Sequence, residues 1–346
     1  MNPSIKSDRE SLSRLSLSLI LFLSLSAGLP SLAADAPKSE IAESAGEKAP
    51  SQSRELVPVK GTRVRMIQPK GFKVSDTFNG FMEESKHASV MVTEMPAPAP
   101  KLLQGFTKEN LAARRMELIS RKEIEVSGKP GVLINLKQKL GPVEFEKWIS
   151  VFGDDENAVL VVSAFPASPS EESGELSAEL KTCVESVKWD QGKKLDKTAG
   201  LNFKIEAVKP LRLAHRIQNM LLFTEEGKFP ATSSKDAIFL VGQSFRKSLI
   251  SDKKAFCLNR IKQTTSLDKV KELDVVDLSR GDSGQEGFEI TAEAVDKKSG
   301  DKMFLYQVII FSGDSYFIQQ GLVADSKRSE LEPVFREMSS KFKLNS

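Results

Sequence analysis

The hydrophobic and polar positions of the chain form one unit that occurs twice. In the first copy, an apolar run over 143–152 is followed by a short polar turn and a second apolar run over 158–165. In the second copy, the apolar runs 303–311 and 316–323 flank a turn of the same kind. Short turns join antiparallel strands, because parallel strands need a crossover of a dozen or more residues. Each unit is therefore predicted to contain an antiparallel hairpin.

An amphipathic segment follows each hairpin and is predicted to be a helix. The first segment begins with Ser168-Pro169-Ser170-Glu171, which supplies a capping serine, a proline in the first turn and a glutamate three residues on. The pattern extends this helix up to Trp189, and it ends the second helix near Phe342.

Shorter strand-like segments precede each hairpin in the same order. In the first copy they are Val64–Ile67, Lys73–Ser75, Phe78–Glu83, Ser89–Met95, Ile119–Val126 and Gly131–Lys137, and in the second Leu201–Ile205, Ala237–Val241, Leu273–Leu278 and Gly287–Ala292. Short helices are predicted after Thr107 and over Asp252–Ile261. Strand clusters with few helices predict an α+β fold of two tandem α/β sandwich domains, each a mainly antiparallel sheet flanked by helices.

Four anchor positions align the two copies, which suggests a divergent duplication. They pair Phe72 with Phe203, Gly131 with Gly287, Phe152 with Phe311, and Trp189 with Phe342. Leu201–Ile205 is matched to Phe72–Ser75 in this alignment. The spacing of the anchors changes along the chain, which predicts insertions in the second copy, chiefly over Leu211–Ser234. We expect the features that distinguish this protein to lie in that segment.

The N-terminus has the pattern of an export signal. Lys6, Arg9 and Arg14 precede an apolar core over Leu15–Leu25, and Ser31-Leu32-Ala33 supplies small residues before a cleavage site. The alternative, a membrane anchor, needs about 20 apolar residues, and this run is far shorter. The pattern therefore predicts an extracytoplasmic protein, periplasmic or secreted, with no stable membrane span after cleavage.

The length of 346 residues leaves room for two domains after the leader. The predicted division is a signal peptide over 1–33, a disordered linker over 34–58, a first domain over 59–190, a linker over 191–197 and a second domain over 198–346. The segment from 35 to about 58 is rich in Ala, Glu, Lys, Ser and Pro and has almost no aromatic or β-branched residues.

The net charge is only +3, from 50 basic and 47 acidic side chains. Proteins that bind nucleic acid have a stronger basic footprint, so the sequence predicts no nucleic-acid partner. Two local basic clusters remain as candidate contacts for an acidic protein partner: Arg114, Arg115, Arg121 and Lys122 in the first copy, and Arg246, Lys247, Lys253 and Lys254 in the second. The alternative is that both are ordinary solvated surface, where most charged residues lie.

Two short motifs resemble the surroundings of a catalytic serine. Arg280-Gly281-Asp282-Ser283-Gly284 contains the Gly-Asp-Ser-Gly of trypsin-like proteases, and Gly313-Asp314-Ser315 resembles the start of another hydrolase family. A catalytic serine needs a histidine base and an orienting carboxylate. Only His87 and His215 exist, both in polar segments between strands with no evident partner, and both are expected to be solvated turn residues. Turns are the better interpretation of both motifs, and we predict no catalytic, metal or cofactor site.

The two cysteines allow two interpretations in an oxidising compartment. Cys183 shares a helical face with Leu180 and Val184, and Cys257 stands beside Phe256. Both are predicted to be buried free thiols, which behave as small hydrophobic side chains. The alternative is a disulfide between Cys183 and Cys257 that links the two domains.

Several turn and core positions resemble the PsbP/Mog1-like α/β sandwich family. They are Pro69-Lys70-Gly71-Phe72, Gly80-Phe81, the strand end Met95-Pro96, the strand end Phe165-Pro166 and the closing Trp189. The resemblance covers about 61–190 and, more weakly, 198–344. It implies a non-catalytic protein, since some members assist photosystem oxygen-evolving complexes and others bind a small GTPase. None of their functional residues has a counterpart here.

Taken from the sequence, the expected function is that of a non-catalytic exported accessory or protein-interaction module. The expected partner is another extracytoplasmic protein, which two tandem copies could contact bivalently. An alternative is a carrier that holds a small apolar ligand in a cleft between sheet and helix. A serine hydrolase acting through Ser283 or Ser315 is the weakest alternative, because the chain lacks an evident catalytic histidine.

Overall fold

The computed structural model describes residues 55–229, 231, 235–245, 249–280 and 286–345. The predicted signal peptide and most of the predicted N-terminal linker lie outside these residues. So do Arg246 and Lys247 of the second basic cluster, and Ser283 with its flanking glycines.

The first domain consists of ten strands and three helices. The strands are β1 (Leu56–Pro58), β2 (Val64–Ile67), β3 (Lys73–Val74), β4 (Gly80–Glu83), β5 (Ala88–Met95), β6 (Met116–Val126), β7 (Lys129–Leu140), β8 (Val143–Gly153), β9 (Ala158–Pro166) and β10 (Lys188–Trp189). The helices are α1 (Ala99–Leu103), α2 (Lys108–Ala112) and α3 (Glu171–Glu185).

The second domain repeats this pattern with fewer small elements. Its strands are β11 (Phe203–Lys204), β12 (Arg212–Ile217), β13 (Met220–Thr224), β14 (Ile238–Gln243), β15 (Leu267–Asp277), β16 (Gly287–Asp296), β17 (Lys302–Ser312), β18 (Ser315–Ala324) and β19 (Lys343–Leu344). Its helices are α4 (Lys253–Lys262) and α5 (Arg328–Ser340).

Each domain contains one seven-stranded antiparallel sheet with the same strand order. The first runs β3-β4-β5-β9-β8-β7-β6, and the second runs β12-β13-β14-β18-β17-β16-β15. A small sheet accompanies each large one, with the order β1-β2-β10 in the first domain and β11-β19 in the second. The predicted α+β class and the two-domain arrangement are therefore confirmed.

Helices cover both faces of each large sheet. In the first domain, α3 and the small sheet bury one apolar layer, and α1 and α2 bury another on the opposite face. In the second domain, α5 and its small sheet cover one face, and α4 covers the other. Alternate residues of a strand point to opposite faces, so the central strands are apolar on both sides. No helix in the described part of the chain is long and apolar enough to cross a membrane.

The helices that close the two domains are shorter than predicted. The first ends at Glu185 and the second at Ser340, so Trp189 lies in a strand and Phe342 just beyond its helix. The N-cap of α3 is Ser170, whose side chain accepts a hydrogen bond from the Ser173 amide at 3.2 Å. The prediction that Ser168 caps this helix was wrong. The caps Thr107 and Asp252 begin α2 and α4 as predicted.

The strand register corrects the predicted alignment of the two copies. β11 pairs with β19 as β2 pairs with β10, so Leu201–Ile205 is the counterpart of β2 and not of Phe72–Ser75. The extra residues predicted for Leu211–Ser234 form part of the sheet, since β12 and β13 take the places of the shorter strands β3 and β4. In the sequence, β3 and β4 are too short to show a periodic pattern that could be aligned with β12 and β13.

The glycine anchor of the alignment has a steric explanation. Gly131 lies opposite Phe152, and Gly287 lies opposite Ile310. A Cβ atom at Gly131 would lie 2.6 Å from the Val151 carbonyl oxygen. The register shows that Ile310, rather than Phe311, is the counterpart of Phe152, so that anchor was off by one residue. A shift of one residue turns a side chain to the other face of the sheet.

Candidate functional site

A hairpin of the second domain forms the junction between the two domains. This junction hairpin (Arg212–Thr224) consists of β12, the two-residue turn Gln218-Asn219 and β13. Gln218 has a φ of +57°, in the left-handed region. Polar and glycine residues tolerate that region best, and it lets a two-residue turn reverse the chain. The turn reaches the first domain at β5 and at the loop between β3 and β4.

The side chain of Gln218 is buried and bonded to the first domain at both ends of its amide. Its Nε2 atom donates to the Val92 carbonyl at 2.7 Å and also to the Thr93 hydroxyl. Its Oε1 atom accepts from the Asn79 amide at 2.9 Å. Buried polar groups cost free energy unless they are paired, so these bonds make the docked position specific.

Arg216 holds the junction hairpin to both the linker and the first domain. Its Nη1 atom donates to the Ala199 carbonyl at 2.6 Å, and its Nη2 atom donates to Asn79 Oδ1 at 3.3 Å. Its Nε atom donates to the Gln218 carbonyl at 2.7 Å. Burial lowers the pKa of Arg216, and the nearby Asp196 carboxylate opposes that shift.

The contact between the domains is reciprocal, because the first domain also reaches into the second. Thr77, in the loop between β3 and β4, donates to the Phe245 carbonyl at 3.2 Å. Asn202 of the second domain donates to the Asp76 carbonyl at 3.2 Å. The corresponding hairpin of each domain therefore contacts the other domain, which is the pattern expected when two copies of one unit pack together.

The junction hairpin also contributes apolar side chains to the core of the first domain. Ile217 is 9% exposed and belongs to the layer between the large sheet and the helices α1 and α2. Met220 and Phe229 pack against the same layer. The first domain's core is thus completed by the second domain, and apolar burial adds to the hydrogen bonds in holding the two together.

His215 lies in β12 at this junction and not in a solvated turn, as the sequence suggested. Its ring stacks on Phe229 at 5.9 Å between centroids, and its buried Nε2 atom has no hydrogen-bond partner among the described residues. Burial lowers the pKa of His215 to about 4, and Lys197 and Arg63 lower it further, against an opposing effect of the Glu94 backbone. His87 does lie in a turn, before β5.

The depressed pKa of His215 predicts that acid weakens the folded chain. Between about pH 6.5 and pH 4 the unfolded chain binds a proton that the folded chain does not, so the unfolding free energy falls as the pH falls through this window. Urea unfolding at several pH values measures this slope. His215→Phe, which keeps the stacking, is expected to flatten it, whereas the control His87→Asn is expected to leave it unchanged. An unchanged slope in His215→Phe would contradict the assignment.

The first basic cluster does not converge on one point. Arg114 and Arg115 lie in the turn between α2 and β6, whereas Arg121 and Lys122 lie within β6. About six residues of strand separate the two pairs, or about 20 Å. Adjacent residues of a strand face opposite sides, so Arg121 and Lys122 point apart. All four side chains are exposed.

The described half of the second cluster lies at the start of α4. Lys253 forms an ion pair with Glu286, and its ammonium group lies 5.3 Å from the centre of the Phe311 ring. Lys254 is exposed beside it. The counterpart of β6 is β15 and not α4, so the two basic clusters are not at equivalent positions of the two domains.

The two cysteines do not form the interdomain disulfide that was one alternative. Cys183 lies on α3 in the first domain and Cys257 on α4 in the second, and both are buried thiols without a disulfide. Burial raises the pKa of Cys257 to about 12, which makes it a poor nucleophile.

The described serine motif lies in a tight hairpin turn. Ser312 and Ser315 face each other across the loop Gly313-Asp314 between β17 and β18. The Ser315 hydroxyl donates a hydrogen bond to the Asp314 carboxylate at 3.5 Å, and no other hydrogen bond of this hydroxyl is seen among the described residues. Within the described ranges, no group of three or more His, Cys, Asp or Glu residues could hold a metal ion.

Sequence reasoning did not identify the residues of the junction. Arg216, Gln218 and Asn219 are polar residues in a polar segment, and their burial depends on a domain more than a hundred positions earlier in the chain. The one available signal was that the two copies differ in length over this segment.

Comparisons with known proteins give fold-level likenesses only. No protein-family model matches the sequence. No curated protein matches it either. Among solved structures, the Ran-binding protein Mog1p of Saccharomyces cerevisiae is 10% identical, covers 41% of this chain and 90% of its own, and has a TM-score of 0.31.

Two further solved structures extend this comparison. The cyanobacterial PsbP of Synechocystis sp. is 11% identical, covers 41% of this chain and 82% of its own, and has a TM-score of 0.27. The immunity protein TplEi of T6SS from Pseudomonas aeruginosa is 10% identical, covers 82% of this chain and 96% of its own, and has a TM-score of 0.30. Scores this low establish neither a family nor a function for this chain.

Proposed function

We propose that this chain is a non-catalytic, exported protein-interaction module that presents both of its domains to one extracytoplasmic partner. The observation that carries this proposal is the junction, where buried hydrogen bonds and Ile217 fix one domain against the other. Two surfaces held in a fixed relation can bind one partner at the same time. A long flexible linker between them would lower the effective concentration of the second surface and so the affinity. The proposed leader, residues 1–33, would deliver the protein out of the cytoplasm.

The exposed basic residues of the first domain supply the contact chemistry in this proposal. Arg114 and Arg115 lie side by side in the turn before β6, and neither forms an ion pair in the described structure. A pair of exposed arginines suits an acidic protein surface, because guanidinium groups bind carboxylates in a bidentate way. The proposed partner is therefore acidic where it meets this turn.

Crosslinking in living cells followed by purification from the exported fraction tests the proposal. The same partner should be recovered repeatedly with the wild-type chain. Recovery should fall sharply for the charge reversal Arg114→Glu/Arg115→Glu. The matched control is Lys298→Glu, which reverses an exposed charge in the turn between β16 and β17 and should leave recovery unchanged. Repeated recovery of the chain alone would contradict the proposal.

A second candidate, a carrier of a small ligand, is favoured by one buried side chain. Gln319 is fully buried on β18, and neither atom of its amide has a hydrogen-bond partner among the described residues. A ligand with a polar group could satisfy this amide between the sheet and α5. Native mass spectrometry of freshly purified protein would show additional bound mass, and a clean mass of the chain alone would count against this function.

A further inference from the structure

The small sheets of the two domains differ by one strand. In the first domain Arg65 of β2 lies opposite Lys188 of β10, and in the second Lys204 of β11 lies opposite Lys343 of β19. This register makes β11 the counterpart of β2, and β19 that of β10. β1 pairs with the other edge of β2 at residues 65–67. In the described part of the second domain, no strand pairs with the corresponding edge of β11.

The chain that precedes β11 is held elsewhere and leaves this edge open. Lys197 donates from Nζ to the Ala214 carbonyl at 2.7 Å. The Ala199 carbonyl accepts from Arg216 at 2.6 Å. These bonds fix the linker against the junction hairpin, so it does not follow the path that β1 takes before β2. The edge of β11 therefore has no third strand because the preceding linker is bound to the junction hairpin.

Without a third strand, the second domain leaves partly exposed an apolar side chain whose counterpart in the first domain is buried. Met66, which follows Arg65, is fully buried, whereas its counterpart Ile205 is only partly buried. Val57 of β1 packs against the same apolar layer as Met66. An apolar side chain on an added strand would find a corresponding place beside Ile205.

The charges at the open edge select the kind of strand that fits. Lys204 and Lys343 are exposed and directly opposite each other, and neither forms an ion pair in the described structure. Like charges directly opposite in a sheet are destabilising, so carboxylates nearby would be favourable. The equivalent pair in the first domain, Arg65 and Lys188, is also basic, but there the third strand is already present.

We propose that the open edge of β11 binds an extended apolar segment of a protein partner that carries an acidic residue, which adds as an antiparallel strand. β1 shows how such a segment sits on the equivalent strand. Backbone hydrogen bonds supply affinity in strand addition, and the side chains supply selectivity. The proposal rests on the proposed interaction function and names where the partner's chain docks.

Hydrogen exchange of the full chain tests whether the edge is open. The amide of Ile205 is expected to exchange faster than that of Met66, its counterpart opposite Val57 of β1. Equal protection at the two sites would show that the edge is already covered and would overturn the proposal.

A peptide titration then tests whether the edge binds a strand. The probe is a synthetic peptide with the sequence of residues 55–59, Glu-Leu-Val-Pro-Val, and NMR amide shifts of the full chain are the readout. We expect saturable changes in amide chemical shift that are confined to residues 203–206 and 343–345. Lys204→Glu is expected to weaken peptide binding about tenfold, or about 1.4 kcal/mol. Arg65→Glu is the matched control and should not weaken binding. A peptide that begins with Lys in place of Glu should bind less tightly.

Either of two results would overturn the proposal. One is the absence of shifts at millimolar peptide, and the other is shifts centred on the outer strands β6 or β15. Because the probe is a defined peptide, failure here leaves the crosslinking test of the interaction function intact. Loss of the partner in that test, with peptide binding retained, would instead refute the interaction function and not the open edge.

Discussion

Ile217→Asp is expected to split the thermal unfolding of the chain into two transitions. Ile217 is 9% exposed and packs inside the first domain although it belongs to the second. A carboxylate at this place would be buried without a partner, and an uncompensated buried charge costs about 3–5 kcal/mol. Differential scanning calorimetry should therefore show one cooperative transition in the wild type and two in the variant, the first at lower temperature.

The matched control for this variant is Ile119→Asp. Ile119 is 49% exposed on the outer strand β6, where a polar replacement is expected to change stability by no more than about 0.5 kcal/mol. Gln218→Ala provides a milder second variant, because it leaves the Asn79 amide and the Val92 carbonyl unpaired, at a cost of about 1–3 kcal/mol. A single transition with an unchanged midpoint in both junction variants would show that the domains do not depend on this contact.

Gln319→Met is expected to stabilise the second domain by about 1–3 kcal/mol, because it removes a buried amide that has no hydrogen-bond partner among the described residues. On one face of the sheet, Gln319 lies between Val241 and Val308, both of which belong to the apolar layer under α5. Methionine has a similar length and no polar atoms that need pairing. Urea unfolding followed by circular dichroism measures the change.

The neighbouring residue provides the control for Gln319. Gln320 points to the opposite face of the sheet and donates from Nε2 to the Thr264 hydroxyl at 3.1 Å. Gln320→Met should therefore give no gain in stability, since it removes a hydrogen bond that is made. If Gln319→Met destabilises the protein, the amide has a partner such as a buried water or a ligand, and the carrier function gains support.

The architecture was readable from the sequence because it depends on local patterns. The two hairpins β8–β9 and β17–β18 follow from apolar runs around short polar turns, and the structure places them at the predicted positions. The fold class and the two-domain arrangement follow from the same alternation. The steric demand at Gly131 and Gly287 is local too, and both glycines sit opposite a neighbouring strand as the alignment required.

The incorrect predictions concern residues whose structural contacts lie far away in the chain. The polar sequence neighbours of His215 predict a solvated turn, yet it lies half-buried in β12, with its ring stacked on Phe229 and the Glu94 backbone of the first domain beside it. The sequence does not show that Leu211–Ser234 contains two strands of the sheet, because β3 has only two residues and no period to compare with β12. The helix ends were placed too late, since Trp189 and Phe342 continue the apolar pattern of the helices while lying beyond them.

By itself, the sequence determined the repeated α+β sandwich, since alternation along strands and capped amphipathic helices are properties of neighbouring residues. Only the tertiary structure decided that Gln218 and Ile217 lock the domains together and that β11 lacks the third strand that β1 gives to β2. Both depend on burial and strand pairing between residues far apart in the chain. No local pattern encodes such contacts, because the partner of each residue lies in a distant part of the chain and the backbone groups that pair strands are present in every residue.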